Sequence, residues 1–480
     1  MILAIWEYGI ILFAMINKIN RRSFLGGMLA AGSAPFLFNG CATRFVANNK
    51  INIGVIGYGR IAHGMDVPCT IKYTDRCRFT AVCDLDSKRR EYGAQCIKAH
   101  YAKLLGEIDA PVKQYADYRE LLADPSIDAV MLCIPDHWHA IIATDAVLAG
   151  KHIYLQKPFT QTIEEGRVLR DLAMMRGTVL QVGSWQRSKP QYELVCNLVQ
   201  QGRIGDVVRV EVGCGLDREG GSSVAEPVPE NLDYDTWLGP TPGPEVTPYN
   251  WTRVHNQDLK HINDRPGWIQ LEPYGWGMIT NWGAHQIDVA QWGLGMDDYG
   301  PDSVEGTCER MSTAGGKLWN VHTKYDLHYS YNNGKTDVNV SDKYPMGIKF
   351  IGEKGDWLYC MRGESVTASD PKDAKAGEMM PLMASDKRLL EALPEMQDHF
   401  ENWLEAIACN DPKFTKTNAW TAQRSATACT LGYMCMKTGK KICWDPKNEK
   451  LLTSEAEYLM KPFARGKFNL DRAYAALAGK

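Results

Sequence analysis

Apolar and polar positions along the chain fall into two textures that meet near residue 183. From Lys50 onward, short apolar runs alternate with longer amphipathic stretches, the pattern of a parallel sheet flanked by helices. INIGVIG (51–57) and RFTAVCDLD (78–86) predict buried strands, and SKRREYGAQCIKAHYAKLLG (87–106) predicts the helix that follows. DYRELLAD (117–124) predicts a shorter helix, IDAVMLCIPD (127–136) a strong strand, HWHAIIATDAVLAGK a helix and HIYLQKP (152–158) a further strand. TIEEGRVLRDLAMMRG and TVLQVGS add one more helix and strand.

The second texture starts with loops rich in Gly, Pro and aromatic residues (213–280). KLWNVHTKYDLHYSYNNG and MGIKFIGEKGDWLYC then alternate with a period of two, which predicts antiparallel strands. Helices are expected near 395–409 and 418–437, both with the second domain. The expected division is therefore 1–49 as a leader and linker, 50–183 as a first domain and 184–480 as a second.

Composition narrows the class. A chain of 480 residues, 45% hydrophobic and 23% charged, can bury two cores. A net charge of -3, with no basic block beyond pairs such as Arg89-Arg90, offers nothing to follow a phosphate backbone, so nucleic acid is not an expected partner. The 14 cysteines run from Cys41 to Cys443 without CxxC or zinc-ligand spacing, which predicts buried thiols and no metal site.

The leader changes the expected location. NRRSFLGG (20–27) followed by MLAAGSAPFLF looks like a twin-arginine export signal. MILAIWEYGIILFA, interrupted by Glu7, fits no signal layout and is too short to span a bilayer, which places the expected start at Met15. Cys41, in FNGCA, reads either as a lipid-anchor site or as part of a plain cleavage site or linker. The expectation is an exported protein, periplasmic or tethered to the membrane as a lipoprotein.

Candidate chemistry begins at Gly57-Tyr58-Gly59-Arg60-Ile61-Ala62, where a strand should turn into a helix. The first glycine permits the tight turn, the second lets a pyrophosphate approach the backbone, and Ala62 permits close packing of helix on strand. The alternative is a tight surface turn, but Asp84 at the end of the next strand could hold the adenosine ribose. Asp84 or Asp86 could instead cap the following helix. A carboxylate at Asp84 repels a 2′-phosphate and favours NAD over NADP, whereas Arg60, Lys88 and Arg89 pull the other way.

GxGxxA, AVCDLD, IPDHWHA, a strand ending in QKP, WGAHQID and the late GKKICWDPKNEK together resemble the Gfo/Idh/MocA oxidoreductases, from about residue 50 to near the C-terminus. The resemblance implies an α/β protein with an N-terminal Rossmann dinucleotide-binding domain and a C-terminal α/β domain whose sheet is open and mostly antiparallel. It implies a nicotinamide cofactor and a sugar, inositol or polyol substrate, and makes the open sheet a candidate homo-oligomer surface.

Carried onto this chain, the family's E-K-P segment becomes Gln156-Lys157-Pro158, with Lys157 reaching cofactor ribose and substrate hydroxyl and a proline that is often cis. Gln156 cannot pair with Lys157 as an acid would, which leaves the lysine easier to deprotonate. D-x-G-x-H-x-x-D becomes Asn281, His285 and Asp288. His285 is the acid/base candidate, but an amide at Asn281 cannot stabilise an imidazolium. Pro135, Asp136, His137 and His139 match the turn beside the nicotinamide. Trp185, Arg187, Tyr274, Trp282 and Asp288 are candidates for holding a sugar, and each serves equally well as packing.

The expected function is oxidation of a secondary hydroxyl of a sugar, glycoside or polyol with tightly bound NAD, carried through export and recycled in place. Two alternatives stay open: an NAD-dependent glycosidase or lyase working through a transient keto-sugar, and a non-catalytic sugar-binding protein on a dehydrogenase frame.

Overall fold

Ile53, Val55, Val130, Met131, Ile153 and Leu155 are all fully buried, and strands this apolar on both faces need helices above and below them. The computed structural model describes residues 50–217, 224–250, 257–310, 319–363, 366–369 and 397–479; the expected export signal with Arg21-Arg22, the expected start at Met15 and Cys41 lie outside them. In the first sheet, β1 (Ile51–Ile56), β2 (Cys77–Cys83), β3 (Lys113–Tyr115), β4 (Ala129–Leu132), β5 (His152–Leu155) and β6 (Leu180–Val182) run parallel in the order β3-β2-β1-β4-β5-β6. This is the doubly wound dinucleotide order, with its crevice where β1 and β4 diverge.

The helices of this layer are α1 (Val67–Ile71), α2 (Ser87–Leu105), α3 (Tyr118–Ala123), α4 (His139–Leu148) and α5 (Ile163–Arg176). Asp86 starts α2 by accepting from the N–H groups of Lys88 and Arg89, and Gly106 ends it at φ 73°. Thr162 and Glu165 form a capping box at the start of α5, the T-x-x-E signature made visible. Strand β3 departs from the expected elements: KQY is short, exposed at the sheet edge and carries no apolar run.

The second sheet has the order β13-β12-β11-β7-β10-β9-β8-β14-β15. Its members are β7 (Val207–Gly213), β8 (Ser303–Arg310), β9 (His322–Tyr331), β10 (Thr336–Ser341), β11 (Gly347–Gly352), β12 (Trp357–Cys360), β13 (Thr367–Ala368), β14 (Ile442–Asp445) and β15 (Lys450–Leu451). Pairing is antiparallel except between β7 and β10, as expected of an open, mostly antiparallel sheet. Tyr325, Leu327, Tyr329 and Tyr331 of β9 enter one core with α6 (Pro190–Gln200) and α7 (Gly283–Gly293), while Lys324 and His328 are exposed.

The late helices correct the sequence expectation. In α8 (His399–Cys409), Phe400, Trp403 and Leu404 pack with Ile53, Val55 and Phe79, so this helix covers the first sheet rather than the second. In α9 (Ala419–Thr438), Ala419 and Ala422 pack on the first layer, while Leu431 and Met434 pack on the second. Phe468, and Ala473 of α10 (Asp471–Leu477), return to the first layer as well. An amphipathic pattern says that a helix buries a face, but not which sheet, some 200 residues away, receives it.

Candidate active site

The glycine loop is shaped by close approach. Gly57 has φ 83°, and a Cβ there would meet the Cys133 carbonyl oxygen at 2.6 Å. A Cβ on Gly59 would meet nothing within 4 Å, so its open side faces the pocket that it lines. The chain then enters a π-turn (Ala62–Asp66) that leads into α1, a local irregularity common at functional sites. Asp84 accepts from the Tyr58 N–H at 2.7 Å and the Asp86 N–H at 2.9 Å and lies on the pocket wall. Asp86, not Asp84, is the helix cap.

The pocket holds about 360 Å³, within the usual range for ligand sites. Gly57, Gly59, Arg60, Ile61, Asp84, Pro135, Asp136, Gln156 and Lys157 line it from the first layer. Trp185, Asn281, Trp282, His285 and Arg362 also contribute to its wall. A strap between β7 and α7 supplies Thr236, Trp237, Ile262, Arg265 and Trp268.

The strap is stitched to the rim of the first sheet. Asn231 Nδ2 and Gln257 Nε2 donate to the two Asp86 oxygens at 2.7 and 3.0 Å. Arg60 Nε donates to the Asn263 carbonyl at 2.9 Å, and Trp138 Nε1 to the Trp237 carbonyl at 3.0 Å. His137 Nε2 lies 3.0 Å from that same carbonyl.

Lys157 precedes a cis peptide bond to Pro158, and among the described residues its ammonium has no hydrogen bond or ion pair. Burial lowers its pKa to about 8; Asp136 opposes the shift, and Arg265, Arg60 and Arg362 add to it. Burial raises Asp136 to about 7, opposed by Lys157. His139 is not brought to the pocket: Nδ1 lies 2.6 Å from the Pro158 carbonyl and Nε2 3.0 Å from that of Ile134. It props the turn behind Lys157. Burial lowers His139 to about 4, so the neutral ring donates to only one of the two carbonyls.

Gln156 reveals a partner the sequence reading missed. Its Nε2 donates to Asp66 Oδ2 at 2.7 Å, and its Oε1 accepts from the Lys157 N–H at 3.3 Å. Cys133 Sγ donates to the same Asp66 oxygen at 3.2 Å. Burial pushes Asp66 up to about 7. The available signal was spacing: Ala62, Asp66 and Thr70 share the buried helix face.

His285 sits in the first turn of α7, with its ring centre 5.5 Å from that of Trp282. Its Nδ1 is sealed in protein without a partner among the described residues, which leaves Nε2 as the ring atom able to meet a substrate. Burial, then Lys157, Arg362 and His399, hold its pKa well below the ordinary value, so the ring is neutral. Asn281 does not support it: Asn281 Oδ1 accepts from Arg265 Nη2 at 2.6 Å.

Other expected substrate contacts are placed elsewhere. Arg187 binds Asp288 and Asp297 through both sides of its guanidinium, and Asp288 also accepts from Ser425 at 2.5 Å. Arg187 and Asp288 thus form a buried structural junction off the pocket wall. Tyr274 is 1% exposed and packs against Trp237 and His137. Arg265 and Arg362, which do line the pocket, lie in loops that carry no motif.

The order of the first sheet, a glycine loop with room at Gly59, and a ribose-facing carboxylate fit a dinucleotide, and Lys157 adds a polar group where its reactive end belongs. Fold and site together define a two-domain protein built to bind a dinucleotide. Residues 51–184 match the NAD-binding Rossmann fold of the Gfo/Idh/MocA oxidoreductase family, and residues 217–363 match that family's C-terminal alpha/beta domain. The two matches cover more than half of the chain, which belongs to this family, and NAD is its cofactor.

Among curated relatives, an uncharacterized oxidoreductase YrbE of Bacillus subtilis is 28% identical over 38% of this chain and 47% of its own. A glycosyl hydrolase family 109 protein 2 of Shewanella sp. (strain ANA-3) is 28% identical over 41% of this chain and 46% of its own. The chain thus spans about half the length of these relatives. The WlbA dehydrogenase of Chromobacterium violaceum, solved in complex with NADH and UDP-GlcNAcA, superimposes with a TM-score of 0.57 at 18% identity, over 83% of this chain and 97% of that one.

Proposed function

We propose that the enzyme oxidises a secondary hydroxyl of a carbohydrate or polyol and keeps its NAD bound between turnovers. The observation that carries this reading is the strap: a segment that lines the dinucleotide pocket and is tied by side chains to Asp86 and Arg60 would slow cofactor release. A relative named as a glycosyl hydrolase and a fold neighbour solved with a sugar nucleotide favour the carbohydrate class.

When bound, the nicotinamide supplies the two-electron redox step. The chain's own part is positioning and proton transfer. Lys157, with its pKa lowered to about 8, is available as a neutral amine to take the hydroxyl proton. Neutral His285 orients that hydroxyl through Nε2. Trp185 and Trp282 line the same pocket as this pair.

A second reading rests on the glycosyl hydrolase relative. Transient oxidation would acidify the neighbouring C–H, a glycosidic substituent would leave, and reduction would close a redox-neutral cycle. The twin-arginine sequence supports export of the folded holoenzyme, with Cys41 as a candidate tether.

The test is a screen of purified protein against glycosides and free sugars, following nicotinamide absorbance and released product together. Product with net NADH supports the dehydrogenase, product without it the glycosidase, and no product from any carbohydrate rejects both. Cofactor stoichiometry on exported protein after dialysis tests the carried NAD. An empty site that stays empty when NAD is added would refute it.

A further inference from the structure

One wall of the pocket carries a cation that neither the dinucleotide cradle nor the proton transfer uses. Arg362 follows β12, and its guanidinium carbon lies 5.9 Å from the ring centre of Trp185 and 5.6 Å from that of Trp282. Trp185 is itself fixed, because its Nε1 donates to the Tyr154 hydroxyl at 2.6 Å. Two indole rings within cation–π range hold the guanidinium in place, and its N–H groups remain for a ligand.

Among the described residues Arg362 makes no hydrogen bond or ion pair. The carboxylates on the pocket wall are engaged elsewhere. Asp84 accepts backbone N–H groups, Asp136 faces Lys157, and Asp264 lies 3.4 Å from His261. Arg265, also on the wall, is already engaged, with Nη2 donating to Asn281 and the buried Asp217 nearby. Arg362 stands against Trp282, whose ring centre lies 5.5 Å from that of His285, which sets it at the His285 end of the pocket.

We propose that Arg362 is an anion subsite that takes a carboxylate of the substrate, so that the carbohydrate is an acidic sugar of the uronic-acid type. A carboxylate matches a planar guanidinium edge with two parallel hydrogen bonds, a geometry that a hydroxyl cannot supply. Lys157 and Arg265 add to the same field. Arg362 is exposed on the pocket rim, so a neutral sugar simply lacks the charge-assisted pair that a carboxylate gains there. This rests on the carbohydrate reading above and names the class within it.

The test titrates methyl β-D-glucuronoside, methyl β-D-glucoside and glucose 6-phosphate onto the holoenzyme by calorimetry, with turnover measured in parallel. The glucuronoside should bind at least about tenfold more tightly than the glucoside, as expected of a charge-assisted pair. Arg362→Gln should erase that difference while changing glucoside affinity by less than about threefold, and Arg362→Lys should restore part of it. Equal affinities, no binding of the glucuronoside, or a variant that weakens both sugars alike would overturn the subsite. Tighter binding of the phosphate than of the glucuronoside would overturn the carboxylate assignment. Glucuronoside binding without turnover keeps the subsite and removes the oxidation reading for that sugar. Turnover of the glucoside without any preference does the reverse.

Discussion

Gln156 Nε2 donates to the buried carboxylate of Asp66 at 2.7 Å, so the amide that stands where the family has an acid is matched by an acid on the opposing helix. A Gln156→Glu exchange would set two carboxylates at hydrogen-bond distance where Asp66 is fully buried. It should destabilise the fold by about 2–4 kcal/mol, through like charge and lost hydrogen bonding. Adding Asp66→Asn should recover most of the loss by exchanging the roles of the two positions. Thermal unfolding of the single and double variants measures this. Independent, additive effects would show that the pair is not coupled.

Asp66 also predicts a pH dependence. Its folded pKa is raised to about 7 from 3.8. The folded state therefore holds a proton that the unfolded chain has lost, and this contribution is fully present below about pH 4 and lost as pH rises through about 7. Asp66→Asn should flatten the stability curve between those values, by up to about 1.4 kcal/mol per pH unit. An unchanged curve would mean that other groups set it.

Lys157→Met should keep fold and cofactor while lowering turnover by ~10²-fold or more, the usual cost of a missing acid/base group. In the oxidation direction the neutral amine is the working form, so wild-type rate should rise with pH through about 8. The variant should lose that limb. Near-normal turnover, or the same limb in the variant, would remove Lys157 from the chemistry.

These residues divide by how local their signals are. Gly57, Gly59, Asp84 and Lys157 were legible because each sits at the end of a buried strand whose apolar run announces it. The cap on α2 was readable only as a choice between Asp84 and Asp86, which hydrogen bonds settle for Asp86. Strands β7 and β10 carry the alternation of a half-buried strand (VVRVEVG, TDVNVS) yet fall outside the expected set; β7 finds its partners β10 and β11 more than a hundred residues further on, while β10 also pairs with neighbouring β9. Asp66, Arg265 and Arg362 become site residues only through tertiary approach. Arg187 and Asp288, by contrast, read in sequence as candidates either for a sugar or for packing, and they satisfy each other in space.

Cofactor choice should respond to Asp84. Arg60 and Arg89 line the same pocket, so Asp84→Ser removes the negative charge and leaves positive ones. NADP binding should strengthen relative to NAD by about tenfold or more. The change also withdraws an acceptor from the Tyr58 and Asp86 N–H groups. Asp84→Asn, which retains an acceptor without the charge, separates the two effects. If neither variant shifts the ratio, the 2′-hydroxyl is read elsewhere.

Retention of the cofactor should depend on the strap's hold on Asp86. That carboxylate caps α2 and accepts from Asn231 and Gln257, so the strap and the start of a Rossmann helix share one anchor. Asn231→Ala with Gln257→Ala leaves the cap intact, because the Lys88 and Arg89 N–H groups still occupy the carboxylate, but it removes the two side-chain ties between Asp86 and the strap. Each lost charge-assisted bond is worth roughly 1.5–3 kcal/mol, so NAD dissociation should accelerate by at least about tenfold. Association should change little, since affinity differences within one site fall mostly on the off-rate. Stopped-flow displacement of NADH fluorescence measures both rates. A variant that releases NADH at the wild-type rate would show that retention comes from the glycine loop and the pocket floor, and the strap would then be no gate.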